Sequence, residues 1–200
     1  MAKLNHSIVY KGFYKTLKEQ FDKETALCIW DDANRILDEL ERSNPAESTD
    51  NKMMVLPAAA LLTALRKHTP QQALPLLKEY GKDFGLKIAN LIHRITSIPG
   101  ISRLLWRNIG KIMRKMSSPE AGYTREIVSE TNELVGVDIL SCPLHDAAVR
   151  IGVPETAQVI CAMDKAYMTG FKHIVYTRST SVAEGDACCD YRLRFDRSKK

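Results

Sequence analysis

The sequence predicts an α+β fold. A helical N-terminal region, residues 1–119, packs on a small antiparallel sheet within residues 120–200, the elements of the second region running ββααββ. Three observations carry this expectation. Apolar residues recur at three- and four-residue spacing as far as Met116. The composition then breaks at Ser117-Ser118-Pro119-Glu120. Beyond the break, short stretches alternate at period two around turn residues. With 200 residues the two regions are expected to form one compact domain.

Residues 8–43 read as helical. A segment around Tyr10–Phe21 is followed by Asp22 as an N-cap, with Thr25 at the third helical position. Ala26, Ile29, Trp30, Ala33, Ile36, Leu37 and Leu40 then mark one apolar face, and Ser43-Asn44-Pro45 stops the helix. Residues 52–68 are apolar nearly all round and predict a buried helix, with Pro57 at the start of its regular part. A third helix runs from Pro70 to about Arg94. Ile98-Pro99-Gly100 is a turn, and Ile101–Met116 is a basic amphipathic helix. Tyr123–Thr131 and Leu134–Leu140 are strands. Leu144–Ile151 is a short helix closed by Gly152, and Pro154 opens another that runs to about Met168. A C-terminal hairpin follows over Tyr176–Phe195, with Glu184-Gly185-Asp186 as its turn.

Composition narrows the function classes. No stretch of 18 apolar residues is present, and the N-terminus lacks a secretory h-region. Five cysteines in a chain of this length argue against a disulfide framework, so a reducing cytoplasm is the expected compartment. No CxxC or HxxxH pair points to a metal, and no cofactor is indicated. The net charge of +5 is unevenly spread. Residues 85–119 contain no Asp or Glu but carry Lys87, Arg94, Arg103, Arg107, Lys111, Arg114 and Lys115, leaving the rest slightly acidic. No nucleic-acid-reading motif accompanies them. The basic helix 101–116 is expected to pack its apolar face on the domain. A membrane surface is the alternative use of the same pattern.

The chemistry gathers near the C-terminus. Along the last strand Cys189, Tyr191, Leu193 and Phe195 fall on one face, and Cys188, Asp190, Arg192 and Arg194 on the other. Cys142 precedes Pro143 at a strand-to-helix junction, where a helix dipole favours a thiolate. Cys161 and Asp164 are three apart and share a helix face. Arg178 is a candidate partner for that acid, and Asp190 with Arg192 is a second pair. His145 is the candidate acid–base closest in sequence to Cys142.

In order, Ser141-Cys142-Pro143, the turn Gly152-Val153-Pro154-Glu155, Cys161 and Asp164 as Cys-x-x-Asp, Arg178 and Thr180 as Arg-x-Thr, Gly185, and Cys189-Asp190-Tyr191-Arg192 resemble the L-2-amino-thiazoline-4-carboxylic acid hydrolase family. Tyr191 stands where an aromatic, often Phe, is expected, and Cys188 is an extra thiol. The resemblance implies a fold related to vinyl-4-reductase-type ligand-binding domains. It also implies a small-molecule hydrolase that opens a cyclic amidine-like carbon–nitrogen bond, giving an N-carbamoyl cysteine.

On that footing Cys161, Asp164, Cys189 and Asp190 are the expected catalytic residues. Cys142, His145, Arg178, Asp186 and Arg192 are expected to bind substrate. Asp164 or Asp190 would grip the amidine, and Arg178 the carboxylate. A thiolate of Cys161 or Cys189, or an activated water, would attack. Two other classes use the same features: a small-ligand sensor domain without turnover, and a peripheral membrane protein acting through helix 101–116.

Overall fold

The computed structural model describes residues 3–198. The chain divides into two compact units that interleave along the sequence. The first comprises Met1–Gly81 with Leu144–Ala162, and the second Lys82–Pro143 with Met163–Lys200.

The first unit is helical. It contains α1 (Phe13–Gln20), α2 (Lys23–Ser43), α3 (Thr49–His68), the opening of α4 (Ala73–Thr96), most of α6 (Pro143–Arg150) and the first part of α7 (Thr156–Tyr167). Asp22 caps α2 as the sequence predicts, accepting from the amides of Glu24 and Thr25 and from the Thr25 hydroxyl. The long α2 and α3 pack on each other, burying Ile29, Trp30, Ala33 and Leu37 on one side and Val55 to Leu62 with Ala64 and Leu65 on the other. Asn34 is buried beside them. Its amide oxygen accepts from Leu4 N–H, and its amide nitrogen donates to Trp30 C=O, both at 2.9 Å.

The start of α3 differs from expectation. The helix begins at Thr49, capped by Ser48, whose hydroxyl accepts from Asn51 N–H at 3.1 Å. Pro57 therefore lies inside the helix. It deprives the Met53 carbonyl of its usual donor, a cost of about 3 kcal/mol in an exposed helix. Here Pro57 is buried among Leu56, Ala58 and Leu61, whose removal from water offsets that cost.

The second unit holds the rest of α4, α5 (Ile101–Met116) and a four-stranded antiparallel sheet. Its strands are β1 (Thr124–Glu130), β2 (Leu134–Ser141), β3 (Ile174–Thr177) and β4 (Cys189–Phe195), in spatial order β1-β2-β4-β3. The ββααββ order and the α+β class of the sequence reading are what the structure has. Ile109 and Met113 of α5 pack with Val135, Val137, Ile139, Ile174, Cys189 and Leu193 to form the core of this unit. Arg125 closes the end of α5, donating to Ser117 C=O at 2.6 Å and to Arg114 C=O at 3.2 Å. Gly170 lies against the Ala89 backbone so closely that a Cβ there would overlap it. That contact requires glycine.

The C-terminal hairpin is shorter than expected on its first arm. β3 ends at Thr177, and residues 178–188 form a loop with a 3-10 turn at Val182–Glu184. Gly185 takes a φ of 96° as the turn residue. The amides of Ser179 and Thr180, which would have continued the ladder, donate instead to the Asp190 carboxylate.

Candidate active site

β4 is central in its sheet, and its pleat sorts the C-terminal residues into two groups. Cys189, Tyr191 and Leu193 face the core of the second unit. Asp190 and Arg192 lie on the opposite face and serve different partners.

On the core side, Asp164 in the last turns of α7 meets Tyr191 and Arg178. The Tyr191 hydroxyl donates to Asp164 Oδ2 at 2.8 Å, and Arg178 Nη1 stands 3.5 Å from the same oxygen. Arg178 also donates to the Tyr191 hydroxyl oxygen at 3.2 Å, and its guanidinium lies 5.5 Å from the Tyr191 ring centre. The Arg178 side chain is only 6% exposed and that of Asp164 22%. A buried guanidinium is tolerated when a carboxylate and further acceptors surround it.

Two more tyrosines complete the arrangement. Tyr176 of β3 packs its ring 5.5 Å from that of Tyr191, and Tyr167, one turn beyond Asp164 on α7, hydrogen-bonds the carboxylate. Burial, then the Asp164 charge, pushes the Tyr191 phenol well above its ordinary value, although Arg178 opposes this. Tyr167 is raised for the same leading reasons. Both phenols therefore remain protonated donors at any physiological pH.

Cys189 lies on the same face of β4, one pleat from Tyr191. It is 5% exposed; its sulfur accepts from Val182 N–H at 3.3 Å and lies 3.9 Å from the Ser181 hydroxyl. Cys142, at the junction of β2 and α6, is partly buried and packs against the same core.

Across the sheet, Asp190 accepts from the amide and hydroxyl of both Ser179 and Thr180. Desolvation pushes its carboxyl upward, but those four donors outweigh it and hold the group far below the usual carboxylate range. Asp186 accepts from Ser181 N–H at 2.7 Å and shapes the same loop. Arg192 pairs with Asp138 of β2 at 2.7 Å. Asp190 and Asp186 thus hold the loop 178–188 in place, and Arg192 ties β4 to β2.

Cys161 and His145 belong to the first unit. Cys161 is one helical turn before Asp164 on α7 and is partly buried. His145 is partly exposed, with Nδ1 3.8 Å from Asp146. Among the described residues, no three His, Cys, Asp or Glu side chains gather as a set of metal ligands. The sequence reading did not single out Tyr167 and Tyr176 as site residues. The available signal was periodicity: Tyr167 is three residues from Asp164 on the same helix face.

A family model described as L-2-amino-thiazoline-4-carboxylic acid hydrolase matches residues 49–193. No curated protein matches the chain. Among solved structures, a trafficking protein particle complex subunit 3 from Naegleria fowleri, covalently bound to palmitic acid, is similar at 12% identity and a TM-score of 0.41. That match covers 77% of this chain and 99% of the other. An Fe(II) unliganded H-NOX protein from K. algicida is similar at 15% identity and a TM-score of 0.40, covering 95% and 96%.

Proposed function

The chain belongs to the L-2-amino-thiazoline-4-carboxylic acid hydrolase family, and on that premise we propose that it hydrolyses a small cyclic isothiourea bearing a carboxylate. The observation that carries the proposal is the pairing of Asp164 with Arg178 at the Tyr191 hydroxyl. A 2-aminothiazoline carboxylate is a compact zwitterion, an amidinium beside a carboxylate. Asp164 complements the first charge and Arg178 the second, by charge-assisted and bidentate hydrogen bonds. Tyr191 and Tyr167 supply protonated hydroxyls beside them.

The product fixes which bond breaks. In an N-carbamoyl cysteine the former ring carbon keeps both nitrogens. A nucleophile therefore adds to that carbon across its C=N bond, and the tetrahedral adduct expels the ring sulfur, which takes a proton to become the product thiol. With that product the scissile bond is carbon–sulfur, whereas the family resemblance implied opening of a carbon–nitrogen bond. Cys189 is the proposed nucleophile in the second unit. Its thiolate would form an S-amidino intermediate that water then converts to the carbamoyl product, restoring the thiol. Direct attack by water, with Asp164 holding the amidinium, gives the same net reaction.

Binding without turnover is the second reading, and the low exposure of Cys189 favours it. The test is release of small-molecule thiol from L-2-amino-thiazoline-4-carboxylate by the full chain. Thiol release that is lost in Asp164→Asn and Arg178→Gln supports the hydrolase. Saturable binding of the ring with no thiol released moves the assignment to a ligand-binding domain.

A further inference from the structure

We propose that the corner between α4 and α5 docks the protein on an anionic lipid bilayer, independently of ring opening. Leu91, Ile95 and Ile98 are spaced four and three residues apart at the end of α4, and each is at least half exposed. Helical hydrogen bonding continues past Thr96, from Ser97 N–H to His93 C=O and from Ile98 N–H to Ile95 C=O. The three side chains therefore form one stripe on one face. Leu104, in the first turn of α5, is a fourth exposed apolar side chain. An aligned group of large aliphatic side chains left in water calls for an occupant.

The charge around the stripe selects that occupant. Lys87, Arg94, Arg103 and Arg107 flank it, and residues 85–119 contain no acid. A second copy presenting the same face would bring like charge to like charge, whereas an anionic bilayer offers both an apolar interior and complementary charge.

A cleft of about 490 Å3 opens at the end of the stripe, sharing Ile98 with it. Arg103, Lys172, His173 and Arg197 line it, and among the described residues no Asp or Glu does. Asp196, beside Arg197 in sequence, turns its carboxylate to the Ser198 amide and hydroxyl. His173 is held at a φ of 65°, and its buried Nδ1 has no hydrogen-bond partner among the described residues. Histidine is among the few non-glycine residues that accept a positive φ, and here that backbone conformation sets His173 in the wall of the cleft. The cleft has the charge and size for the phosphate of a lipid headgroup, while the stripe enters the acyl boundary beside it. This differs from the docking considered from the sequence, in which helix 101–116 would lie on the membrane. The inner face of that helix is occupied by Ile109 and Met113 packing on the sheet.

The experiment is co-sedimentation of the full chain with vesicles of phosphatidylcholine alone, and of phosphatidylcholine mixed with an equal amount of phosphatidylglycerol. Binding to the mixed vesicles only, weakening as added salt screens the charges, is the expected result. Ile95→Ser with Ile98→Ser is expected to reduce binding by about tenfold or more, and Arg103→Glu with Lys172→Glu similarly, since each interfacial cation adds roughly fivefold. The two isoleucines are half exposed, so their replacement is expected to lower the melting temperature by only a few degrees, and the binding comparison is made well below it. Lys15→Glu with Lys18→Glu, on α1, makes the same change in net charge elsewhere and is expected to leave binding as it was. No preference for the anionic vesicles, or equal losses in the α1 and corner charge variants, would overturn the proposal.

Discussion

Tyr191 donates its hydroxyl hydrogen to Asp164 Oδ2 at 2.8 Å, joining the central strand β4 to the last turns of α7. The bond fixes the acid beside Arg178 and adds a donor to a partly buried carboxylate that Tyr167 and Arg178 also reach. Tyr191→Phe removes that donor and leaves the ring. A loss of about 1–2 kcal/mol in urea denaturation is expected, the usual cost of stripping a partner from a partly buried polar group. Unchanged stability would mean that the bond does not form in solution.

Asp190 organises loop 178–188 through four hydrogen bonds from Ser179 and Thr180. Its carboxyl titrates lower in the folded than in the unfolded chain. The stability it contributes is therefore complete above the ordinary carboxylate pKa of about 4 and is lost as the pH falls below that. Asp190→Asn is expected to lower stability by about 2 kcal/mol at neutral pH, with the gap to the native chain closing in acid. A gap that stays constant with pH would contradict this role.

Buried phenols set the alkaline limit. Burial pushes Tyr80 up to about 12, against an opposing hydrogen bond from the Gly12 amide, and it also raises Tyr10, Tyr167 and Tyr191. Unfolded tyrosines ionise near pH 10, so stability is expected to fall steadily above that pH. The part of the tyrosinate absorbance that belongs to these four residues should therefore appear together with unfolding. Reversible ionisation of all tyrosines in the folded state near pH 10 would contradict the burial.

Gly170 is tightly apposed to the Ala89 backbone. Gly170→Ala forces backbone against backbone, and a loss of about 1–3 kcal/mol is expected from overpacking. Gly100→Ala tests a different cause. There a Cβ meets nothing within 4 Å, and only the φ of 87° is unfavourable, so about 1 kcal/mol is expected.

Much of the fold was legible because local signals agreed with tertiary structure. Asp22, the basic helix Ile101–Met116, the β1–β2 hairpin and the Cys142–Pro143 junction all stand where side-chain chemistry and periodicity put them. Two features were not legible, for opposite reasons. The proline signal at Pro57 was strong but was overridden by the upstream Ser48 cap and by burial. The period-2 signal through Arg178 and Thr180 was overridden by the Asp190 carboxylate, which reaches their loop from the next strand. The Asp164–Arg178 pairing was foreseen as a candidate. Its tyrosine surroundings depend on contacts between α7, β3 and β4, which single-chain spacing does not encode.

The central claim is that Arg178 reads the carboxylate of a small zwitterionic ring. The most direct measurement is the affinity of the native chain and of Arg178→Gln for two ligands, 2-aminothiazoline-4-carboxylate and the same ring without its carboxylate. The account predicts that the native chain prefers the carboxylated ring by about tenfold to a hundredfold, the worth of one charged hydrogen-bonded pair, and that Arg178→Gln abolishes the preference. Equal affinity of the native chain for both rings, or a preference that survives in the variant, would contradict it.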